Sequence, residues 1–475
     1  MTLREKATIF RHQCDVMDTA RKNKRYGRDS VAFERRWASQ LYRDTQARLE
    51  RTFRIEENYV FLTSIPRWRE IFATCASGRN ADHELCDALE PYIEQELHPR
   101  TFNNRKGMGC MAAINRVMED IYEVTQGYTR PARIIKLDLK GFFPNANLDC
   151  MERFFLRIID KYKSELATSA TAVGGFPAAY ANEYLNYLRW LTMVVIHCCP
   201  VRHCELRTPR IFWREHIDPE KSLFGKPAGN GAPIGRLPSQ KGMGLYVNDD
   251  VRWLNDDCGL RTTCFMDDFV MVMPEERHRY ALSLIPVLRR RFAVKGVRLN
   301  EKKFYDQPSQ HGLEFLGSHL RNNRIHLNEC TYRRGMERLR WFNGLSPDGK
   351  YLFLENFLSS VNSYFGLLKT RTDHKRLLAL LQVINLEWWR YCHYSPRRQC
   401  IVANESYSHR SLINSKHHLF TIKHSKHYDT TGKAIAAKRA ASYRKQRRGA
   451  VEGYRLYCSQ DCRGQGHQDR VQGKY

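Results

Sequence analysis

From about residue 85 the chain alternates apolar runs with short turns, and the spacing of the apolar positions changes from segment to segment. Residues 88–97 and 111–124 carry apolar side chains at helical intervals, predicting two helices. Ile134-Ile-Lys-Leu-Asp-Leu139 alternates in polarity and is closed by Gly141, predicting a strand. A long helical stretch is expected from Met151, a Gly/Pro-rich loop over 224–233, and a helix-like segment through Trp253. Residues 260–273 read as two strands meeting at a tight Asp-Asp turn, and 277–292 as a helix. Residues 313–320 and 324–327 read as a hairpin turning at Asn322-Asn323. Beyond about 330 the pattern is mainly helical through Trp388-Trp389. Residues 1 to about 60, with Arg21-Lys-Asn-Lys-Arg25 and Arg35-Arg36, read as helices with a basic face. No internal repeat of fixed period is visible. The expected divisions are a basic helical segment over 1–84, a mixed α/β body over 85–330, a helical region over 331–400 and a basic extension over 401–475.

Charge narrows the class of partner. Lys and Arg number 78 against 51 Asp and Glu, a formal net charge of +27 in 475 residues. The sequence pI is near 9.6 and the mean hydropathy −0.59. Such a surplus points to a polyanion, nucleic acid first; the alternative is a basic surface with no special partner. The longest apolar stretch, residues 190–200, is half of the ~20 residues a membrane span needs. No apolar segment follows Met1 in the manner of a secretory signal, so a cytoplasmic, non-membrane protein is expected. The 15 cysteines, scattered and odd in number, fit reduced thiols.

Two aspartate sites could carry chemistry. Asp138 follows Ile-Ile-Lys-Leu, and Asp267-Asp268 sit in Cys-Phe-Met-Asp-Asp-Phe-Val-Met-Val. Carboxylates at the ends of adjacent strands supply the hard oxygen ligands that divalent cations need. Taken alone, Asp-Asp could equally be a hairpin turn.

The neighbours of these residues give a family resemblance. Leu137-Asp-Leu-Lys-Gly-Phe-Phe143 resembles the first palm motif of reverse transcriptases, a metal-binding Asp followed five residues later by an aromatic. Phe265-Met-Asp-Asp268 resembles their aromatic-x-Asp-Asp box, with Phe in the usual Tyr place. Between them Ala232-Pro-Ile-Gly-Arg-Leu-Pro-Ser-Gln240 resembles the motif packing against template and incoming nucleotide. Gly296-Val-Arg-Leu-Asn-Glu-Lys-Lys303 resembles the motif with a lysine near the triphosphate, and Phe315-Leu-Gly317 the primer-grip hairpin. Upstream, Phe102-Asn-Asn-Arg-Lys-Gly-Met-Gly109 resembles the fingers segment whose basic residues contact the triphosphate. Six motifs thus follow in the family's order across roughly residues 85–330. Ile234-Gly-x-x-x-Ser239-Gln240, where most members carry Gln-Gly, is the form of diversity-generating retroelement and bacterial defence-associated enzymes. Lys221-Ser-Leu-Phe-Gly and Asn362-Ser-Tyr-Phe-Gly366 strengthen that likeness, whereas the basic tail and long N-terminal segment depart from it.

The resemblance implies an α/β (α+β) right hand of fingers, palm and helical thumb, catalysing RNA-directed DNA synthesis with two Mg²⁺ or Mn²⁺ ions. Asp138, the backbone of Leu139, Asp267 and Asp268 would hold the metals, Asp268 less securely because neighbouring strand residues face opposite ways. Phe143 would exclude a 2′-hydroxyl, and Arg105, Lys106, Gln240 and Lys303 would meet the nucleotide. Gly235 and Ser239 would meet template, and Phe315, Leu316 and Gly317 the primer. The plainer readings are a core aromatic for Phe143 and solvated charges for Arg105, Lys106 and the Lys302-Lys303 pair. The partners implied are an RNA template or noncoding RNA, deoxynucleotides and the cDNA product, with a protein partner or second copy left open. Rival activities are RNA-dependent RNA synthesis, against which Phe143 argues, and a catalytically idle RNA-binding scaffold. Two Cys/His groups, His197-Cys-Cys199 with His203-Cys204 and Cys458, Cys462 and His467, have partial zinc spacing. Buried free cysteines are the commoner account of the first. From Lys433 to Arg448 seven Lys or Arg stand with no acid, a segment suited to anchoring RNA.

Overall fold

The computed structural model describes residues 1–22, 28–56, 58–64, 67–202 and 204–408. Over these the chain forms two units, Met1–Arg334 with Gly366–Ala379, and Gly335–Phe365 with the chain from Leu380. The strands in chain order are β1 (Asn58–Thr63), β2 (Arg69–Thr74), β3 (Ala132–Lys140), β4 (Cys204–Leu206), β5 (Arg261–Phe265), β6 (Asp268–Pro274) and β7 (Arg298–Leu299). They continue as β8 (Tyr305–Pro308), β9 (Leu313–Phe315), β10 (Ser318–Arg321), β11 (Arg324–Leu327), β12 (Cys392–Ser395) and β13 (Cys400–Ala403). Among the described residues no helix is long and apolar enough to cross a membrane.

The first unit is built on an antiparallel sheet in the order β5-β6-β3-β7, with β8 also on β3. The alternation of β3 sorts its residues by face. Ile135, Leu137 and Leu139, with Phe269, Met271 and Met273 of β6, are buried in the main core. That core is filled from helices Ala76–Glu96, Leu148–Lys161, Ala181–Ile196, Leu237–Arg252 and His278–Val294. On the opposite face Ile134, Val270 and Val272 pack with helix Cys110–Val124 and with Leu313, Phe315 and Leu320 of β9 and β10. Lys136 and Asp138 belong to this second face by the same period of two. The three-stranded meander β9-β10-β11 turns at Leu316-Gly317, both at positive φ (47° and 73°), and at Asn322 (50°). Two positive-φ residues suit a primed hairpin turn, which Gly317 adopts freely and Leu316 at a cost.

Residues 1–84 are not helices alone. Helices Leu3–Ala20, Arg28–Glu34 and Trp37–Leu49 are followed by β1 and β2, which form a sheet with β4 in the order β2-β1-β4. Val60 and Phe72 face inward against Leu223, while Tyr59 and Phe61 share the other face with ring centroids 6.4 Å apart. The N-terminal helices are tied to helix Ala76–Glu96 by a buried polar network. Arg48 donates to Gln13 (2.6 Å), Asn80 (2.5 Å) and Glu84 (2.9 Å), and Tyr187 donates to Glu84 (2.6 Å). A guanidinium this deep is tolerable because Glu84 pairs its charge and both Nη groups reach acceptors, although Nε has no partner.

In the second unit Phe357 and Trp388 stack with centroids 3.8 Å apart, and Phe342 meets both edge-on. Asn362 donates to the carbonyl of Ile401 (2.7 Å) and accepts from its N–H (2.8 Å), extending the β12–β13 hairpin by one side chain. That hairpin was absent from the mainly helical expectation for the region.

Candidate active site

The site begins at the end of β3. Asp138 stands directly across the β3–β6 ladder from Asp268, so their side chains share a face. Asp267 lies one residue before β6, in the turn that joins it to β5. The turn residues are therefore Met266-Asp267, not Asp-Asp. Because Asp267 is outside the ladder, strand alternation does not turn it away from Asp138 and Asp268. Its carbonyl accepts from the N–H of Leu139 (3.0 Å), which closes the turn over the end of β3.

Met266 takes the left-handed conformation (φ 58°), which costs a non-glycine residue about 1 kcal/mol. Neighbouring contacts fix it. Asn103 Oδ1 accepts from Met266 N (3.2 Å), and the segment around it adds to β5 through Phe102 N to Cys264 O (3.0 Å) and Cys264 N to Arg100 O (2.9 Å). The segment resembling the fingers motif is thus the brace of the Met266-Asp267 turn.

Electrostatics set Asp267 and Asp268 apart from ordinary surface acids. Burial, with Asp268 and Asp138 adjacent, pushes the Asp267 carboxyl up to about 6. Burial also raises Asp268, with Asp138 adding to the rise and Lys136 opposing it. Cations and amides engage the oxygens: Lys303 Nζ lies 2.5 Å from Asp138 Oδ1, Asn300 Nδ2 donates to Asp138 Oδ2 (2.8 Å), and Lys136 Nζ lies 3.3 Å from Asp268 Oδ1. Among the described residues no three His, Cys, Asp or Glu side chains are grouped to hold a metal ion. The donors still suit a hard divalent cation: they are all carboxylates, and burial beside like charge is the penalty such a cation relieves.

The other expected residues surround this cluster unevenly. Phe143 is half-buried on the short helix Phe142–Asn145 that follows β3. Three backbone bonds of 2.8 Å clasp this segment to the Gly/Pro-rich loop: Ala232 N to Phe143 O, Gly231 N to Ala146 O, and Leu148 N to Gly229 O. Gly235 (φ 116°) lies against β2, where a Cβ would come 2.5 Å from the Phe72 carbonyl, so only glycine fits. Ser239 is buried, and the backbone carbonyl of Gln240 accepts from Asn104 (3.1 Å). Phe315 is buried in the second core, while Leu316 and Gly317 form the turn beyond it.

Arg105 and Lys106 separate. Arg105 is turned inward, where it bonds Glu94 Oε2 (2.8 Å) and the carbonyls of His98 (3.0 Å), Thr101 (2.9 Å) and Glu94 (3.3 Å). As the side chain stands it secures the loop and has no free fork for phosphate, contrary to expectation. Lys106 is exposed.

No family model matches the chain, and no curated protein matches it. Solved structures similar to it include apo telomerase from Candida tropicalis, at 13% identity and a TM-score of 0.41, covering 70% of this chain and 57% of that one. Telomerase from the same species in complex with a TWJ fragment of telomeric RNA is similar at 11% identity and a TM-score of 0.41, covering 70% and 53%. Telomerase from Candida albicans with a TWJ fragment follows at 9% identity and 0.39, covering 78% and 61%. The chain spans rather over half the length of these structures.

Several site residues were not singled out from the sequence. Asn300 reaches Asp138 from three residues before Lys303, also donating its N–H to the Asp138 carbonyl (2.8 Å). Lys136 was legible only as another polar position of the alternating strand. Arg236, inside the Ile234–Gln240 motif, is buried against Asp82 and donates to the Val195 carbonyl (3.0 Å). Of the first Cys/His group, His197 pairs with Glu152 (2.9 Å), and burial pushes up the thiols of Cys198 and Cys204, away from the thiolate a metal requires. His203, the basic segment 433–448, and Cys458, Cys462 and His467 lie outside the described residues.

Proposed function

We propose that the chain is an RNA-directed DNA polymerase of right-hand architecture. In this reading the β3 sheet is the palm, the elements before it with residues 100–109 are the fingers, and the helical region after β11 is the thumb. The observation that carries it is the convergence of Asp138, Asp267 and Asp268 on the end of one antiparallel sheet, with Lys303 against them. Asp138, Asp267 and Asp268, with the Leu139 backbone, would hold two Mg²⁺ or Mn²⁺ ions, which supply Lewis acidity for attack by a 3′-hydroxyl and departure of pyrophosphate. The chain's own side chains do the rest. Lys303 leaves Asp138 to meet the triphosphate, and exposed Lys106 adds a second cation. Phe143 borders the sugar and excludes a 2′-hydroxyl by bulk. The β9–β10 turn at Leu316-Gly317 supports the primer, and the Gly235–Gln240 segment supports template and base.

RNA as template and handle is supported by the net charge of +27 and by the acid-free run of residues 433–448. The Ile234-Gly-x-x-x-Ser239-Gln240 motif supports a place among diversity-generating retroelement or bacterial antiphage-defence enzymes. The test is primer extension on an RNA template with Mg²⁺ or Mn²⁺. Deoxynucleotides should be incorporated, and Asp138→Ala or Asp267→Ala should abolish incorporation. Preferential use of ribonucleotides would make the chain an RNA polymerase, and binding without synthesis an RNA scaffold.

A further inference from the structure

Lys136 has no part in the steps above, yet it is the side chain joining two elements those steps require. It lies two residues before Asp138 on the same face of β3, and its diagonal neighbour across the ladder is Asp268. Its side chain is only 15% exposed. The ammonium lies 3.3 Å from Asp268 Oδ1, donates to the main-chain carbonyl of Glu314 (3.0 Å), and sits 5.9 Å from the ring centroid of Phe315. Glu314 and Phe315 belong to β9, the strand leading into the Leu316-Gly317 turn. One ammonium therefore bonds a carboxylate of the reaction centre and the backbone of the hairpin beside it.

The arrangement calls for a cationic donor on a long side chain. This half-buried ammonium places its donors on acceptors from two separate elements. The Glu314 side chain is engaged elsewhere, with His319 (3.0 Å), so the contact to β9 is through its backbone and is independent of that residue's charge. If β9 shifts, the ammonium must follow the carbonyl or abandon it, and either response changes what Asp268 Oδ1 meets.

We infer that Lys136 is a positioning residue that couples the β9–β10 hairpin to Asp268, so that the primer terminus and the metal-binding carboxylate are aligned together. This role rests on the polymerase reading. It predicts an unusual combination: removing Lys136 frees Asp268 of a competing cation, so metal binds more tightly, while the loss of alignment slows the chemistry. Loss of a metal ligand would weaken both, and a purely structural lysine would change neither apart from stability.

The experiment uses the full chain with Lys136→Met and Lys136→Arg, and Lys136→Gln should the methionine variant fail to fold. Mn²⁺ binding to protein alone, followed by electron paramagnetic resonance, should tighten several-fold in Lys136→Met. Single-turnover extension of a DNA primer on RNA, at saturating Mn²⁺, should slow about tenfold or more, as misplacement of reacting groups does. Its deoxynucleotide dissociation constant should stay within about twofold of the parent's. Lys136→Arg, which keeps the charge and the reach, should recover most of the rate. Unchanged or weaker Mn²⁺ binding, an unchanged rate, or a loss confined to nucleotide binding overturns the role while leaving the polymerase reading intact. If the parent protein extends no primer, the polymerase reading fails and this role fails with it.

Discussion

Lys303 Nζ and Asp138 Oδ1 are 2.5 Å apart, joining two motifs separated by 165 positions. The lysine stands as counter-ion to the aspartate expected to bind metal, and must give that up for a divalent cation to engage it. The Lys303 side chain is 42% exposed but that of Asp138 only 7%, so solvent screens the pair from the lysine side alone. Lys303→Met leaves buried Asp138 with Asn300 as a side-chain partner, so a stability loss of about 1–3 kcal/mol is expected, between that of an exposed and a buried pair. If Lys303 meets the triphosphate, kcat/KM for deoxynucleotides should fall about 10–100-fold, chiefly through KM. Urea unfolding and steady-state extension give the two numbers; a large stability loss with unchanged KM would make Lys303 a structural residue.

Asp267 gives a pH dependence of definite sign. Its carboxyl is raised from 3.8 to about 6 by burial and by Asp268 and Asp138, so the folded chain binds this proton more tightly than the unfolded chain. The stability it contributes is present below pH 3.8 and lost as pH rises through about 6. Asp267→Asn, measured in EDTA, should therefore be more stable than the parent above pH 6, by at most about 3 kcal/mol. The gain should roughly halve by pH 5 and vanish below pH 4. Thermal melts across pH 4–8 test this, and a gain that grows on acidification contradicts it.

Phe143 is half-buried, and its backbone is held by the loop from Gly229 to Ala232 independently of the ring. Phe143→Ala should therefore leave the segment in place and open space beside the sugar. The expected result is a rise of about tenfold or more in ribonucleotide relative to deoxynucleotide incorporation, the scale on which pocket bulk discriminates. Competition assays measure the ratio. No rise would return Phe143 to the core.

The sequence made the centre legible where chemistry and period coincided. Ile134 to Leu139 announced β3 and placed Asp138 opposite an apolar face, and Asn322-Asn323 marked the β10–β11 turn. What was missed depended on long-range register. Tyr59 to Leu62 is a short apolar run among charges, and it becomes a strand by pairing with β2 and β4, some 10 and 145 positions away. Asn300 and Lys136 join the site through pairings of β3 with its neighbours that local spacing cannot reveal. Arg105 read as a free cation because its four acceptors lie on Glu94, His98 and Thr101, three of them main-chain carbonyls that no motif displays.

Arg236 shows how far the template-side motif depends on burial. The residue before it, Gly235, lies against the Phe72 carbonyl of β2, and Phe72 N donates to Ile234 O (2.8 Å). Arg236 itself is 3% exposed and grips Asp82, with Nε 3.1 Å from Oδ2 and Nη2 on Oδ1. The motif is thereby bound at once to β2, to helix Ala76–Glu96 and, through Val195 O, to helix Ala181–Ile196. Removing only the cation leaves Asp82 as an unpaired buried charge, so Arg236→Met should cost about 3–5 kcal/mol. Replacing both partners removes that penalty: Arg236→Met with Asp82→Leu should recover most of the loss, since apolar side chains of similar volume often substitute for a buried pair. Urea denaturation of both single variants and the double variant gives the coupling directly. Additive losses would mean that Arg236 acts mainly through Val195 O and that the ion pair is incidental. Recovery of stability without recovery of primer extension would show that the pair sets the position of Ser239 and Gln240 as well as holding the fold.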